Sequence, residues 1–528
     1  MASWAIRSHH DQILDPAAGE AVFLMAAAER LHALGGEVSS ERLVGVEIDT
    51  AARLRALDLL ERTRCPCDIR LSDFFEVRRE DFSRPFDVVI GNPPYVRYHR
   101  FRGETRQRAL AVARSSGVRL TGLASSWAPF VVHSSQFLSP GGRLALVLPA
   151  ELLHVDYAGP IREFLMRRFA SVTVVTFERS IFPGAMIDTV LLLAEDGPVR
   201  RGLEVRTLAD ASDLHLANEG SFVPSPANRW SKLRAPSEGA DALDRIRVAG
   251  HAVPLSEVAS VDIGCVTGAN DFFVLTGEEA KHLKIPTRLL QPIISRPAQL
   301  TGAIVRRSDL KRLITHERSL LLRLAKPRLD AGKTLLSAYL RRGRRLGISQ
   351  RYKCQARDPW YSVPGIHVPH AFLSYMSHRI PRIALNRAGL SSTNLVHQLT
   401  FQKSQPRLTA AYIASLYSSL SLLSFELEGR SYGGGVLKLE TREAERVLVP
   451  TLTVSLADSL AKILEEVDAA VRSGDTQRAS NAVDHCLVRA GLLDSEALTE
   501  LRSARVALQE RRSLRGRTSG KWQSTTLF

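Results

Sequence analysis

The 528-residue chain is poor in cysteine and has no long apolar run. Its five cysteines, Cys65, Cys67, Cys265, Cys354 and Cys486, are odd in number and scattered, which argues against a disulfide framework. Cys65-Pro66-Cys67 holds two thiols close together. A zinc pair, however, normally has roughly two to four intervening residues and a second pair elsewhere, so no metal is expected. No stretch approaches the roughly eighteen apolar residues of a membrane span, and MASWAIRSHHDQILD at the N-terminus has no apolar core of signal-peptide length. No membrane association is expected, and residence in the cytoplasm is the default. Acidic residues are in deficit, with 55 Asp and Glu against 71 Lys and Arg and a net charge of +16. Such an excess suits a polyanionic partner, because Lys and Arg displace condensed counterions from nucleic acid. An arginine-rich genome coding for solvated arginines gives the same balance, and charge by itself does not separate the two.

What is present describes an ordinary globular protein, 45% hydrophobic and 24% charged, too long for one core. Residues 1 to about 198 alternate strand and helix patterns. Ile13-Leu14-Asp15 reads as a short strand, 22–34 as a helix, 43–48 as a strand and 50–62 as a helix. Residues 86–91 read as a strand, and 127–138 as a helix stopped by Ser139-Pro140-Gly141-Gly142. Leu144 to Leu148 is the next strand; Val172 to Phe177 and Thr189 to Ala194 form a closing pair. This alternation predicts an open, mostly parallel sheet with helices on both faces and its ligands beyond the carboxyl ends of the strands. From about 201 to 250 the chain is polar and rich in Pro, Ser and Asn, and reads as a linker. Residues 251–450 lose the alternation, gain short strand-like runs and carry basic patches. Residues 451–528 begin with a helix marked by Leu456, Leu460, Ile463, Leu464, Val467 and Val471, and end in a basic tail, 511–521, expected to be disordered unless it meets nucleic acid.

Unusual residues cluster at strand ends. "ILDPAAGEAVFL" puts small residues between a strand and a helix, where backbone approaches a ligand closely and helix N–H groups are free; an ordinary α/β turn looks much the same. "LVGVEID" ends a strand in Glu47, placed to accept ribose hydroxyls. "IRLSDFF" ends another in Asp73-Phe74, a carboxylate beside a ring that suits an adenine amino group and its face. Each has a bland reading as a helix cap or loop carboxylate; three in order at successive strand ends make that reading hard to sustain. The fourth is "DVVIGNPPY", a buried strand running into Asn92-Pro93-Pro94-Tyr95. An exocyclic amino nitrogen is a weak nucleophile because its lone pair is delocalised into the ring. Two acceptors aimed at its hydrogens, the Asn92 side-chain oxygen and the Pro93 carbonyl, draw it toward tetrahedral geometry. The prolines fix φ and remove competing donors, and Tyr95 offers a ring for stacking.

In the order DPAAGEAVFL, VGVEID, LSDFF, IGNPPY, the chain resembles the S-adenosylmethionine-dependent N6-adenine DNA methyltransferases, in the arrangement with cofactor motifs first and target recognition last. The matched motifs span Asp15 to about Leu193. Residues 250 to 450 also look like the recognition region of such enzymes ("VDIGCVTGANDFFVL", "SSTNLVHQLTF"). The resemblance implies a Rossmann-like class I methyltransferase α/β sheet over 1–200, a linker over 201–250, a mixed α+β target recognition domain over 251–450 and a C-terminal helical segment over 451–528. It implies S-adenosyl-L-methionine held by Asp15, Pro16, Ala17, Ala18 and Gly19, by Glu47 and Ile48 at the ribose, and by Asp73 and Phe74 at the adenine. It makes Asn92, Pro93, Pro94 and Tyr95 catalytic and double-stranded DNA the partner, with a cognate restriction endonuclease as a possible companion. The target base must be flipped out to reach the loop; Tyr95 and, by resemblance, Phe182 hold it. Trp127 and Phe130 read as core.

Two departures stand out. The family loop usually has a second glycine where this chain has Ala21; alanine at positive φ costs roughly 1 kcal/mol or more. The family also has a further segment before the first strand, whereas fourteen residues precede Asp15 here. The expectation is that Met1 is a misassigned or internal start, to be checked by N-terminal sequencing. In the recognition region Arg387 to Asn394 and Arg430 to Gly435 are candidates for reading bases at loop tips, and Arg341, Arg342, Arg344 and Arg345 for gripping phosphates. Enzymes acting on protein glutamine or on RNA bases share the NPPY loop, and a non-catalytic DNA-binding subunit with the same fold is a third reading.

Overall fold

The computed structural model describes residues 1–98, 100–177, 189–198, 202–208, 230, 237–324, 334–403, 405–432 and 435–518. The chain divides into two compact units, one built mainly on Met1–Arg234 and the other on Ala235–Gly516.

The first unit is an eight-stranded sheet of β1 (Ile13–Asp15), β2 (Leu43–Glu47), β3 (Asp68–Leu71), β4 (Phe86–Gly91), β5 (Leu138–Pro149), β6 (Ser171–Phe177), β7 (Thr189–Glu195) and β8 (Gly202–Leu208), in the order β3-β2-β1-β4-β5-β7-β6-β8. β1 to β5 run parallel; β7 lies antiparallel between β5 and β6. The central strands are near-continuous apolar runs because helices cover both faces. Leu24, Ala27 and Leu31 of the helix Val22–Ala33 serve one face, and Phe130 and Val131 of the helix Trp127–Ser135 the other. Strand order reverses between β1 and β4, the position where open α/β sheets hold ligands beyond their carboxyl ends.

Local readings fail at two places. The helix from Trp127 ends at Ser135, and Ser139-Pro140-Gly141-Gly142 lies inside β5. The register between β4 and β5 shifts between Phe86 and Val88, and such an irregularity admits a proline and a left-handed glycine into a strand. Residues 202–208, within the expected linker, form β8, which pairs in parallel with β6. An edge strand carrying Glu204 and Arg206 lacks the apolar density of a central one.

The second unit contains a five-stranded sheet, a four-stranded sheet and a set of helices. Its main core joins strand residues such as Val261 and Leu399 to Leu460, Val483 and Leu501 from the C-terminal helices. Helix Ser495–Thr518 runs through most of the expected tail. There Arg512 is buried, bonded to Glu426 and to the carbonyls of His378, Arg379 and Gly435, so this arginine is a structural tie. Among the described residues no single helix is long and apolar enough to cross a membrane.

Candidate active site

The loop after β1 is shaped by close approach. Ala18 N–H donates to Val46 O at 2.9 Å, and a methyl group on Gly45 would stand 2.9 Å from the Ala18 Cβ, so the glycine lets the loop lie down on β2. Gly19 has φ 53° and Ala21 φ 62°, both left-handed. Ala21 therefore occupies the conformation that favours glycine, at a cost of roughly 1 kcal/mol or more. It is also fully buried against the sheet, which offsets part of that cost.

Asp15 closes β1 and is fully buried. Its Oδ1 accepts from Ala17 N–H at 3.1 Å, while its Oδ2 has no hydrogen-bond partner. Burial raises its pKa to about 7, the Ala17 amide opposes the rise and Glu47 adds to it. Glu47, at the end of β2, accepts from Gly19 N–H through Oε2 and from Asp49 N–H through Oε1, both at 2.8 Å. Each oxygen keeps a lone pair for a ligand hydroxyl. Ile48 beside it is 63% exposed, an apolar surface at the mouth of the site.

Asp73 Oδ1 accepts from Phe75 N–H at 3.1 Å; its Oδ2 is buried without a hydrogen bond, 3.7 Å from Arg108. Phe74, expected to face the cofactor adenine, belongs to the core instead. Its ring packs on Phe130, His133 and Phe137 with centroids 4.9, 4.5 and 5.2 Å away. His133 Nε2 lies 2.9 Å from Phe74 O and 3.0 Å from Val77 O, which holds the segment in place. The Phe74 ring is thus enclosed by the core, whereas the Ile48 side chain is exposed. A buried carboxylate oxygen without a hydrogen bond is costly. Two of them, on Asp15 and Asp73, together with the lone pairs of Glu47, fit a ligand bearing an amino group and ribose hydroxyls, as S-adenosylmethionine does.

Asn92 and Pro94 are exposed, Pro93 is buried and Tyr95 is half-buried. The Tyr95 hydroxyl lies 2.7 Å from Asn92 Oδ1 and 2.9 Å from Val147 O. Ser126, which the sequence reading passed over, fastens the loop. Its Oγ donates to Pro94 O and accepts from Val96 N–H at 2.9 Å, and its own N–H donates to Val96 O at 3.0 Å. A serine at the start of a helix reads as a cap, and only the fold reveals the proline loop across from it. The proline loop and Asp15 meet through Gly91, where a methyl group would stand 2.6 Å from Asp15 Oδ1. Trp127 and Phe130 are buried, as expected. Phe182 lies outside the described residues.

In the second unit Arg341, Arg342, Arg344 and Arg345 are exposed on the helix Leu335–Arg345, the last three of them in its last turn. Within Arg387 to Asn394, residues 387–390 form a turn after the strand Ile383–Asn386, with Arg387 and Gly389 exposed, but the polar residues that follow do not lie at its tip. Ser391, Ser392 and Thr393 are buried, the first two in a strand beside Ile293–Ile294, and Arg387 pairs with Glu465 at 2.5 Å. Arg430 is likewise engaged, with Glu443 at 2.5 Å.

Residues 1–213 match the N-6 DNA methylase family, and residues 227–488 match the C-terminal domain of the type II methyltransferase M.Eco57I. The type II methyltransferase M.XamI of Xanthomonas campestris pv. amaranthicola is 28% identical over 466 residues, covering 86% of this chain and 83% of its own. M.AccI of Acinetobacter calcoaceticus is 22% identical over 464 residues, covering 84% and 82%. Among solved structures, the type IIL restriction–modification enzyme MmeI in complex with DNA has a similar fold. It is 12% identical, covers 95% of this chain and 73% of its own, and superposes with a TM-score of 0.58.

Proposed function

We infer that this chain, which belongs to the N6-adenine DNA methyltransferases of restriction–modification systems, uses the loop Asn92–Tyr95 to receive the amino group of an adenine turned out of duplex DNA. S-adenosylmethionine, when bound, supplies an electrophilic methyl group on a sulfonium. Asn92 Oδ1 and the Pro93 carbonyl accept hydrogen bonds from the two N–H groups of the adenine N6 and free its lone pair for attack. Tyr95 stacks on the base, and the part the resemblance gives to Phe182 is a second contact with that base. As the N6–methyl bond would form, the methyl–sulfur bond would break to leave a neutral thioether, and the cationic N6 then loses a proton to solvent, so no strong general base is needed in the loop. Asp73 Oδ2 takes the amino group of the cofactor adenine, Ile48 its face and Glu47 its ribose hydroxyls. Asp15 and the loop 16–19 line the remainder of the cofactor.

One observation carries this assignment of roles: Gly91 seats the proline loop directly against Asp15, so acceptors for an amino group and a carboxylate suited to the cofactor occupy neighbouring strand ends. The part-buried Ser126 and Tyr95 contacts fix the loop that carries those acceptors, and positioning catalysis requires such a fixed frame.

The net charge of +16 suits a duplex partner. Arg341, Arg342, Arg344 and Arg345 are the proposed phosphate contacts, in a recognition region spanning about 251–450. The enzyme would work in the cytoplasm, on the nucleoid when bound to DNA, and a restriction endonuclease of the same specificity would accompany it. The test is incubation with labelled S-adenosylmethionine and duplex DNA, followed by nucleoside analysis. Label is expected in N6-methyladenine, with transfer lost in Asn92→Ala. Label in RNA or protein, or full turnover by Asn92→Ala, overturns the reading.

A further inference from the structure

The Tyr95 hydroxyl has one proton and faces two acceptors, Asn92 Oδ1 at 2.7 Å and Val147 O at 2.9 Å. Burial raises the phenol pKa, so the proton stays on at neutral pH. One proton cannot serve both partners fully. The Val147 carbonyl has a claim of its own: the β4–β5 ladder ends at the pair Gly91–Leu146, so Val147 lies one residue past it, and a carbonyl there needs a donor.

A second conflict concerns the target. With Oδ1 toward Tyr95, the atom of the Asn92 amide turned away from Tyr95 is Nδ2, a donor. An adenine amino group brings two more donors. Donor facing donor opposes capture, whereas the reaction needs an acceptor there. Turning the amide over about its last side-chain bond removes both conflicts.

We propose that the Tyr95 hydroxyl, backed by the Val147 carbonyl, sets the orientation of the Asn92 amide for methyl transfer. In the working arrangement Asn92 Nδ2 donates to Tyr95 Oη, Tyr95 Oη–H donates to Val147 O, and Asn92 Oδ1 faces the target amino group. The hydroxyl proton then has one acceptor, and one of the two Nδ2 hydrogens has the hydroxyl oxygen. Tyr95 accordingly has two separable parts, a ring that packs on the base and a hydroxyl that acts through Asn92 as a positioning group. This deepens the role given above to the loop and rests on it.

The hydroxyl is tested apart from the ring by Tyr95→Phe. Single-turnover transfer to duplex DNA is expected to slow about tenfold or more, with the Kd for duplex and for S-adenosylmethionine unchanged. Asn92→Asp supplies the discriminating background. A carboxylate presents an oxygen whichever way it turns, so nothing is left to orient. In that background Tyr95→Phe should change the rate by no more than about twofold. An equal loss in both backgrounds, or a Tyr95→Phe enzyme as fast as the parent, overturns the proposal. Should Asn92→Asp fail to turn over, the amide is read directly. Asparagine-selective 15N labelling is used in a complex with duplex and the unreactive cofactor analogue sinefungin. One Asn92 side-chain proton is expected to be protected from solvent exchange in the parent and to lose that protection in Tyr95→Phe; no difference overturns the proposal. Transfer by the parent separates the two failures, because a parent that leaves adenine unmethylated ends the reading of the site itself.

Discussion

Gly91 and Asp15 share one small volume at the centre of the sheet, with Asp15 Oδ1 2.6 Å and Pro16 Cδ 3.3 Å from where a Gly91 Cβ would stand. Neither neighbour can withdraw easily: Asp15 is fully buried and its Oδ1 is bonded to the Ala17 amide. Gly91→Ala therefore pushes the cofactor loop and the proline loop apart. Overpacking of this kind costs about 1–3 kcal/mol. The expected result is a fold that persists with a lowered melting temperature, and a Kd for S-adenosylmethionine at least about tenfold weaker by calorimetry. Parent-like affinity would show that the contact is incidental.

Asp15 also makes the site sensitive to pH. Its folded pKa is raised to about 7 by burial, against roughly 3.9 in an unfolded chain. The stability this gives is fully present below about pH 4 and is lost as pH rises through 7, because the buried group must then ionise. Asp15→Asn does not titrate, so it should gain stability relative to the parent between pH 5 and pH 8, by an amount on the order of a few kcal/mol. A ligand that donates hydrogens to Asp15 favours the carboxylate. Cofactor binding by the parent should therefore tighten from pH 6 to pH 8, with proton release visible as a dependence of the calorimetric enthalpy on the buffer. Affinity that is flat across this range would remove Asp15 from the cofactor contacts.

The legible parts of the molecule were those where local pattern and function coincide. β1 and β2 end in Asp15 and Glu47, β4 is followed directly by Asn92, and those residues stand at the carboxyl ends of adjacent strands. The left-handed turn at Ala21 was legible as a departure. What failed depended on distant partners. Phe74 looked available beside Asp73, but Phe130, His133 and Phe137, far along the chain, enclose it. Ser391 to Thr393 looked like a polar tip; in the fold, Gln398 donates to Ser392 Oγ and Thr393 Oγ1 donates to Ser295 O, so these polar groups are buried and satisfied. Arg512 looked solvated, yet it bonds to a buried carboxylate and three carbonyls. Period and composition report which face of an element is apolar, not which polar groups will find each other.

The four arginines of the helix Leu335–Arg345 allow the proposed DNA surface to be tested by its salt dependence. Leu336 and Leu340 are buried, and Gly343 sits so close to aromatic rings that a methyl group there would stand 2.5 Å from Phe272 and 2.7 Å from Trp360. The apolar side of the helix is thus pressed inward, and Arg341, Arg342, Arg344 and Arg345 are presented to solvent. Arginines in a last turn also complement the helix dipole, but that effect is worth only about 0.3–1 kcal/mol each and says nothing of DNA. Phosphate contact has its own signature, since each neutralised phosphate adds about 0.9 to the slope of log affinity against log salt. Replacing all four with Ala should weaken duplex binding at low salt and flatten that slope, while replacement with Lys should largely preserve it. Backbone contacts carry no sequence information, so affinity for specific and unrelated duplexes should fall together. An unchanged slope rejects the phosphate role, and a selective loss on the specific duplex would move these arginines to base readout.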